Sequence, residues 1–156
     1  MKITYLLLAS FLIISSCKEE DDIIITLDPN APSFVCTIAG TSFSDNTPTI
    51  DINSSDMMSI NLSDGTYDLS FRIYNFSSIS VNDAISFSIP SMGLVTYGGS
   101  TYSSTYNGPP YDGEFVFTTL EVHKLSGTFN FKAQDVDPNM FTNITVKDGV
   151  FENIAY

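Results

Sequence analysis

The chain has 156 residues, with 18 acidic against 6 basic side chains, a formal charge of −12, one histidine, two cysteines and no tryptophan. Its few cations, among them Arg72, Lys124, Lys132 and Lys147, are scattered singly, which leaves no basic patch and excludes nucleic acid as a partner. A lone histidine without a second histidine or a nearby cysteine pair also lacks the ligand set of a zinc centre and the partner of a cysteine nucleophile.

Met1-Lys2 precede an apolar run from Ile3 to Ile14, which Ser15, Ser16 and Cys17 close. A basic start, a short apolar stretch and small residues at a cleavage point make a secretory signal, and the run is shorter than the roughly 20 residues a membrane span needs. Ile14-Ser15-Ser16-Cys17 resembles the bacterial lipobox, an aliphatic residue and two small ones before a cysteine. The resemblance implies cleavage before Cys17 and covalent lipid on its thiol, so the membrane is met through acyl chains alone. Two or three chains anchor a soluble domain stably where one does not.

Lys18-Glu19-Glu20-Asp21-Asp22 follow directly and cannot bury themselves. The block resembles the acidic signal after the lipidated cysteine in surface lipoproteins of Bacteroidota. By that resemblance the domain faces outward from the outer membrane; a periplasm-facing lipoprotein with a plain polar spacer is the alternative. The organisation expected is a leader over 1–16, a lipidated, acidic, flexible tether over 17–33 and one domain over 34–156. Losing Lys2 with the leader makes the mature chain one unit more negative than −12. With Cys17 lipidated, Cys36 has no disulfide partner, and its alternation with Phe34 and Ile38 points it into the core.

Beyond the tether Phe, Tyr, Ile, Val, Thr and Ser dominate, turn residues recur roughly every 8 to 12 positions, and no 3.6-residue stripe appears. The pattern predicts an antiparallel β-sandwich or partly open barrel of about 8–10 short strands. In chain order these fall at 34–39, 41–43, 49–52 and 57–62. Next comes 67–76, where Leu69, Phe71 and Ile73 share one face and Asp68, Ser70 and Arg72 the other. Strands at 85–89 and 94–97 precede a final meander of 114–120, 126–133, 141–146 and 150–155, with turns at His123-Lys124, Asp135–Asn139 and Asp148-Gly149.

A second resemblance covers about 34–156. It is carried by Phe34-x-x-x-Ile38-x-Gly40-x-x-Phe43, Tyr102-Ser103-Ser104, Leu125-Ser126-Gly127-Thr128-Phe129-x-Phe131-x-Ala133 and Asn143-Ile144-Thr145-Val146-x-x-Gly149-x-Phe151. These segments are similar to small Bacteroidota lipoproteins with a domain of unknown function, which implies architecture and compartment and no site residues.

Polar constellations remain. Asp112 and Glu114 share strand parity, as a glycosidase pair would, but flank a strand start where acids ordinarily solubilise. Asp135, Asp137 and Asn139 alternate as in the first half of an EF-hand loop, a candidate Ca²⁺ site. Met140 and Val146 stand where the second half needs glycine and glutamate. The run from Tyr97 to Tyr111 sets Tyr97, Tyr102, Tyr106 and Tyr111 among Gly, Ser and Pro, which suits stacking on a glycan or anchoring a protein. Shared parity of Tyr102 and Tyr106 also fits a core role. No cofactor beyond the lipid and no catalytic machinery is expected. The chain reads as a surface lipoprotein and non-catalytic binding module, or alternatively a structural component of an envelope assembly.

Cys17→Ala is expected to abolish incorporation of an alkyne-tagged palmitate, while protease added to intact cells degrades the wild-type domain. Label retained in the variant contradicts the anchor, and wild-type protection from protease contradicts outward display.

Overall fold

The computed structural model describes residues 31–105 and 113–156 and is an antiparallel all-β structure. Its strands are β1 (Ser33–Ile38), β2 (Thr41–Asp45), β3 (Thr49–Ile52), β4 (Met57–Ser63), β5 (Asp68–Tyr74), β6 (Ala84–Ser86), β7 (Met92–Tyr97), β8 (Ser100–Ser103), β9 (Gly113–Glu121), β10 (Lys124–Asp135) and β11 (Asn143–Ile154). They form one sheet in the order β2-β1-β11-β10-β8-β7-β5-β4-β3, and a side branch adds β9 to β10 and β6 to β9. The sheet curls strongly into a half-barrel, and the expected sandwich or open barrel is met.

Period-two burial explains the strands one by one. Phe34, Cys36 and Ile38 of β1, Met58, Ile60 and Leu62 of β4, and Leu69, Phe71 and Ile73 of β5 all point inward and are buried. The long β10 continues the pattern through Leu125, Gly127, Phe129, Phe131 and Ala133.

The inner face of β9, β10 and β11 shows why glycine is interleaved with phenylalanine there. Register places Phe151, Gly127 and Phe117 in one row across the three strands, and Gly149, Phe129 and Phe115 in the next. A concave face has no room for three large side chains in a row. A Cβ on Gly127 would stand 2.5 Å from the Phe151 ring, and one on Gly149 would stand 2.5 Å from the Phe129 ring. Each glycine is therefore the seat of a neighbouring ring, as when an aromatic covers a strand glycine.

Bulges produce the curl. Between the pairs Phe129↔Gly149 and Phe131↔Val146, Lys147 and Asp148 stand opposite Asn130 alone. Between Leu125↔Ile154 and Gly127↔Phe151, Glu152 and Asn153 stand opposite Ser126. Asp148 and Asn153 absorb the extra residue with φ of 53° and 54°, a conformation Asp and Asn tolerate better than most side chains. The Asn153 N–H donates to Ser126 Oγ at 3.1 Å. Such bulges bend a strand and sharpen its twist.

Rings from distant strands meet in the interior. Phe71 of β5 lies 4.9 Å from Phe129, 5.1 Å from Phe115 and 5.9 Å from Phe34, centroid to centroid. At the far margin of the sheet, Asp45 of β2 accepts the Ser63 N–H of β4 at 2.9 Å and the Thr47 N–H at 2.7 Å. That carboxylate fastens the first strands to the β4–β5 corner.

Several expectations are corrected. Asp148-Gly149 is a bulge within the continuous β11 rather than a turn between two strands, and the three-residue steps from Val146 to Gly149 and from Phe151 to Ile154 are its sign. The closing meander thus has two hairpins, not three. Residues 100–103 form β8, which alternation alone did not reveal. The strand expected at 85–89 ends at Ser86, and Phe87 turns fully inward while Ile89 is exposed. Phe141 belongs to the loop before β11, and Phe76 begins a single 3₁₀ turn over Phe76–Ser78.

Phe71→Ala is expected to cost about 3–5 kcal/mol, the usual range for deleting a fully buried phenylalanine. Phe141→Ala, at a side chain 84% exposed, is expected to change stability by less than about 0.5 kcal/mol. Urea denaturation of the two variants checks the contrast, and equal effects would contradict the assignment of the core.

Candidate binding surface

Strand polarity sorts the loops to two ends. Ser33, at the start of β1, pairs with Glu152 near the end of β11. The β10–β11 loop precedes Asn143 at the other end, roughly 30 Å away for nine residues of strand at about 3.3 Å each. Ala39 donates to Thr145 O at 3.0 Å, and Val136 donates to Thr101 O at 2.9 Å. These bonds gather the β1–β2 turn, the β10–β11 loop and the β7–β8 turn near the start of β11.

Tyr97 closes β7 at this end. Gly98 and Gly99 then take φ of 58° and 86°, the two positive angles of a type I′ hairpin turn. The chain is thereby folded back so that Tyr97 pairs with Ser100 and Val95 with Tyr102. Tyr97 is 46% exposed, and its ring stacks on buried Tyr67 at 4.7 Å with a 26° interplanar angle. A ring fixed on one face and open on the other loses little entropy when a ligand covers it.

Tyr102 is the exception to the expected pliable tyrosine loop. It is half-buried in β8 and packs against the core, so the Gly-Gly turn has made a strand of a segment read as loop. Tyr106, Tyr111 and Asp112 lie outside the described residues, as does Cys17. Glu114 accepts the Asn130 Nδ2–H at 3.1 Å.

The candidate calcium ligands are engaged within their own loop. Asp135, almost fully buried at the end of β10, accepts the Asp137 N–H at 2.9 Å through Oδ1, and Thr142 Oγ1 reaches its Oδ2 at 3.4 Å. Asp137 accepts both the backbone N–H and the Nδ2–H of Asn139, at 2.9 and 3.0 Å. The two Asp oxygens that satisfy these donors face the loop's backbone, as in ordinary Asx turns. Among the described residues no three His, Cys, Asp or Glu side chains converge as a metal site would require. Beside them Val136, Met140 and Phe141 are exposed, giving this end an apolar tip that strand-based reading passed over.

His123 sits at the opposite end, in the β9–β10 turn with φ of 62°. Its Nδ1 lies 2.7 Å from the carbonyl oxygen of Tyr156, which makes the ring a clasp on the last residue. Cys36 is buried in β1, and burial, with the Asp64 charge adding to it, pushes its thiol up to about 12.

A groove of about 430 Å³ lies on the outer face of β3, β4, β5 and β7, lined by Thr47, Thr49, Asn61, Asp68, Ser70 and Thr96 among others. Its strand residues are outward-facing neighbours in register: Thr49 pairs with Asn61, Asn61 with Ser70, and Asp68 with Thr96. Tyr67 and Tyr97 each adjoin one member of the last pair in sequence, so their rings lie on the opposite face of the sheet. Cross-strand parity of short polar residues was the available signal for this groove, and it became legible only with the strand order.

No known protein family, characterised protein or solved structure shows significant similarity to the chain.

Thiol reagents at pH 8 are expected to leave Cys36 unmodified in the folded protein and to label it after unfolding in urea. Its folded-state value is raised, so above about pH 9 the unfolded chain loses a proton that the folded chain keeps, and stability falls as pH rises toward about 12. Rapid native labelling would contradict the burial of Cys36.

Proposed function

We propose that this chain is a membrane-tethered lipoprotein, displayed on the cell surface, whose half-barrel is a non-catalytic binding module. The observation that carries the reading is the half-exposed Tyr97 ring, held on buried Tyr67. A lipid on Cys17 and the acidic block behind it would present the domain to the surroundings. A rigid aromatic anchor near an apolar tip is what protein and glycan recognition use. Asp45, Asp56, Asp64, Asp83, Asp135 and Asp137 serve as caps and loop fasteners, accepting backbone N–H groups, which supports binding rather than chemistry.

A structural role in an envelope assembly is the second reading. It is favoured by the terminal strands β2 and β3, whose outer edges offer backbone groups to another strand.

Mature protein screened against immobilised glycans and extracellular proteins is expected to retain a ligand. Tyr97→Ala should weaken that interaction at least tenfold, about 1.4 kcal/mol, with little change in thermal midpoint. Retention unaffected by the substitution contradicts the role of Tyr97. Reproducible cross-linking in native membranes through β2 or β3, with no ligand found, would select the assembly reading.

A further inference from the structure

We propose that the loop between β10 and β11 is a membrane contact, its apolar tip seated in the interfacial layer of a bilayer with zwitterionic headgroups. This rests on the reading of the chain as a lipid-anchored protein and gives the tip a role apart from that of Tyr97. Residues 136–143 are exposed without a break. Three of them are large and apolar: Phe141 is 84% exposed, Met140 49% and Val136 40%. A surface loop ordinarily turns its unpaired backbone groups to water. Here the protein itself satisfies them.

From Asp135 to Met140 every backbone N–H has a protein acceptor. Asp135 donates to Thr142 O at 3.0 Å, Val136 to Thr101 O at 2.9 Å and Met140 to Asp137 O at 3.0 Å. Asp137 donates to Asp135 Oδ1 and Asn139 to Asp137 Oδ1, each at 2.9 Å, and Pro138 has no N–H to satisfy. Leaving water therefore strands none of these donors, which is the condition for placing backbone beside a hydrocarbon layer. The same bonds brace the loop, so little ordering entropy is lost when it is covered.

Size and charge select the occupant. A whole aromatic side chain offers about 150–250 Å², so these three partly exposed ones offer on the order of 300 Å². A stable protein interface takes about 800 Å² from each partner. A bilayer sets no such threshold where a lipid on Cys17 already holds the domain beside it, because the second contact then forms at high effective concentration. Cys17 stands sixteen residues before Ser33, and a chain of that length reaches at most about 55 Å. That exceeds the roughly 30 Å that β11 sets between Ser33 and the loop. Asp137 is the one charged residue from 136 to 143, and no lysine or arginine occurs from Ala133 to Val146. Anionic lipid, which attracts basic segments, is therefore disfavoured.

The chain has no tryptophan, so Phe141→Trp places a single reporter at the tip. Val122→Trp, at a position 84% exposed in the β9–β10 turn, is the control. Lipidated protein carrying either substitution is incorporated into phosphatidylcholine vesicles with brominated acyl chains, and an unchanged thermal midpoint shows that the fold persists. The tip reporter is expected to emit at shorter wavelength and to lose about half its fluorescence, as a ring at the headgroup and acyl boundary would, while the control does neither. Vesicles of brominated phosphatidylglycerol are expected to quench the tip less. Equal emission from the two reporters or stronger quenching by phosphatidylglycerol overturns the proposal. So does a tip shielded from acrylamide yet unquenched by lipid, the sign of a protein cover. Protein that floats with the vesicles while its tip stays unquenched leaves the anchor standing, and protein that does not float overturns both.

Discussion

Phe71 projects from the middle of β5 into the rings of Phe34, Phe87, Phe115, Phe129 and Phe131, with centroids 4.9 to 5.9 Å away. Along the sheet, β5 is separated from β10 by β7 and β8, and from β1 by β10 and β11 as well. Those strands come within ring contact only because the sheet is curled, and the curl persists because the rings fill what it encloses. Nine phenylalanines are fully buried in this way, each removing apolar surface worth about 1.5–3 kcal/mol from water. A domain with no disulfide among its described residues draws its stability from that cluster.

The other features follow from the need to surround these rings with a continuous sheet. Glycines at 127 and 149 make room for Phe151 and Phe129, and bulges at Asp148 and Asn153 bend β11 while returning its next apolar residue to the inside. Asp45 fastens the outer strands by accepting the Ser63 N–H. Once the interior is closed, short polar residues on the outer face are free of structural duty, and the groove over β3, β4, β5 and β7 is built from them.

Much of this was legible in the sequence wherever period-two alternation was unbroken. Strands β1 to β5 and β10 follow directly from it, as does the inward thiol of Cys36. Legibility failed where one residue breaks the period. A three-residue step across Asp148 reads locally as a turn, because Asp-Gly serves both turns and bulges, and only cross-strand register tells them apart. Strand β8 was hidden for a related reason, since Ser100-Thr101-Tyr102-Ser103 carries a single large side chain and so shows no alternation. The polar groove is legible in no single strand, because Thr49, Asn61, Ser70, Asp68 and Thr96 become neighbours only through pairing. Of the expected tyrosines, Tyr97 alone is described on the surface, and its partner Tyr67 was read simply as the start of a strand.

The account rests on contact between β5 and the β1–β11–β10–β9 wing through Phe71. Ring-to-ring nuclear Overhauser effects in protein carrying labelled phenylalanine measure it most directly. Cross-peaks from Phe71 to Phe129, Phe115 and Phe34 are the predicted result, and all three should vanish in Phe71→Leu. A Phe71 that shows only neighbours on β4 and β7 would contradict the curled sheet.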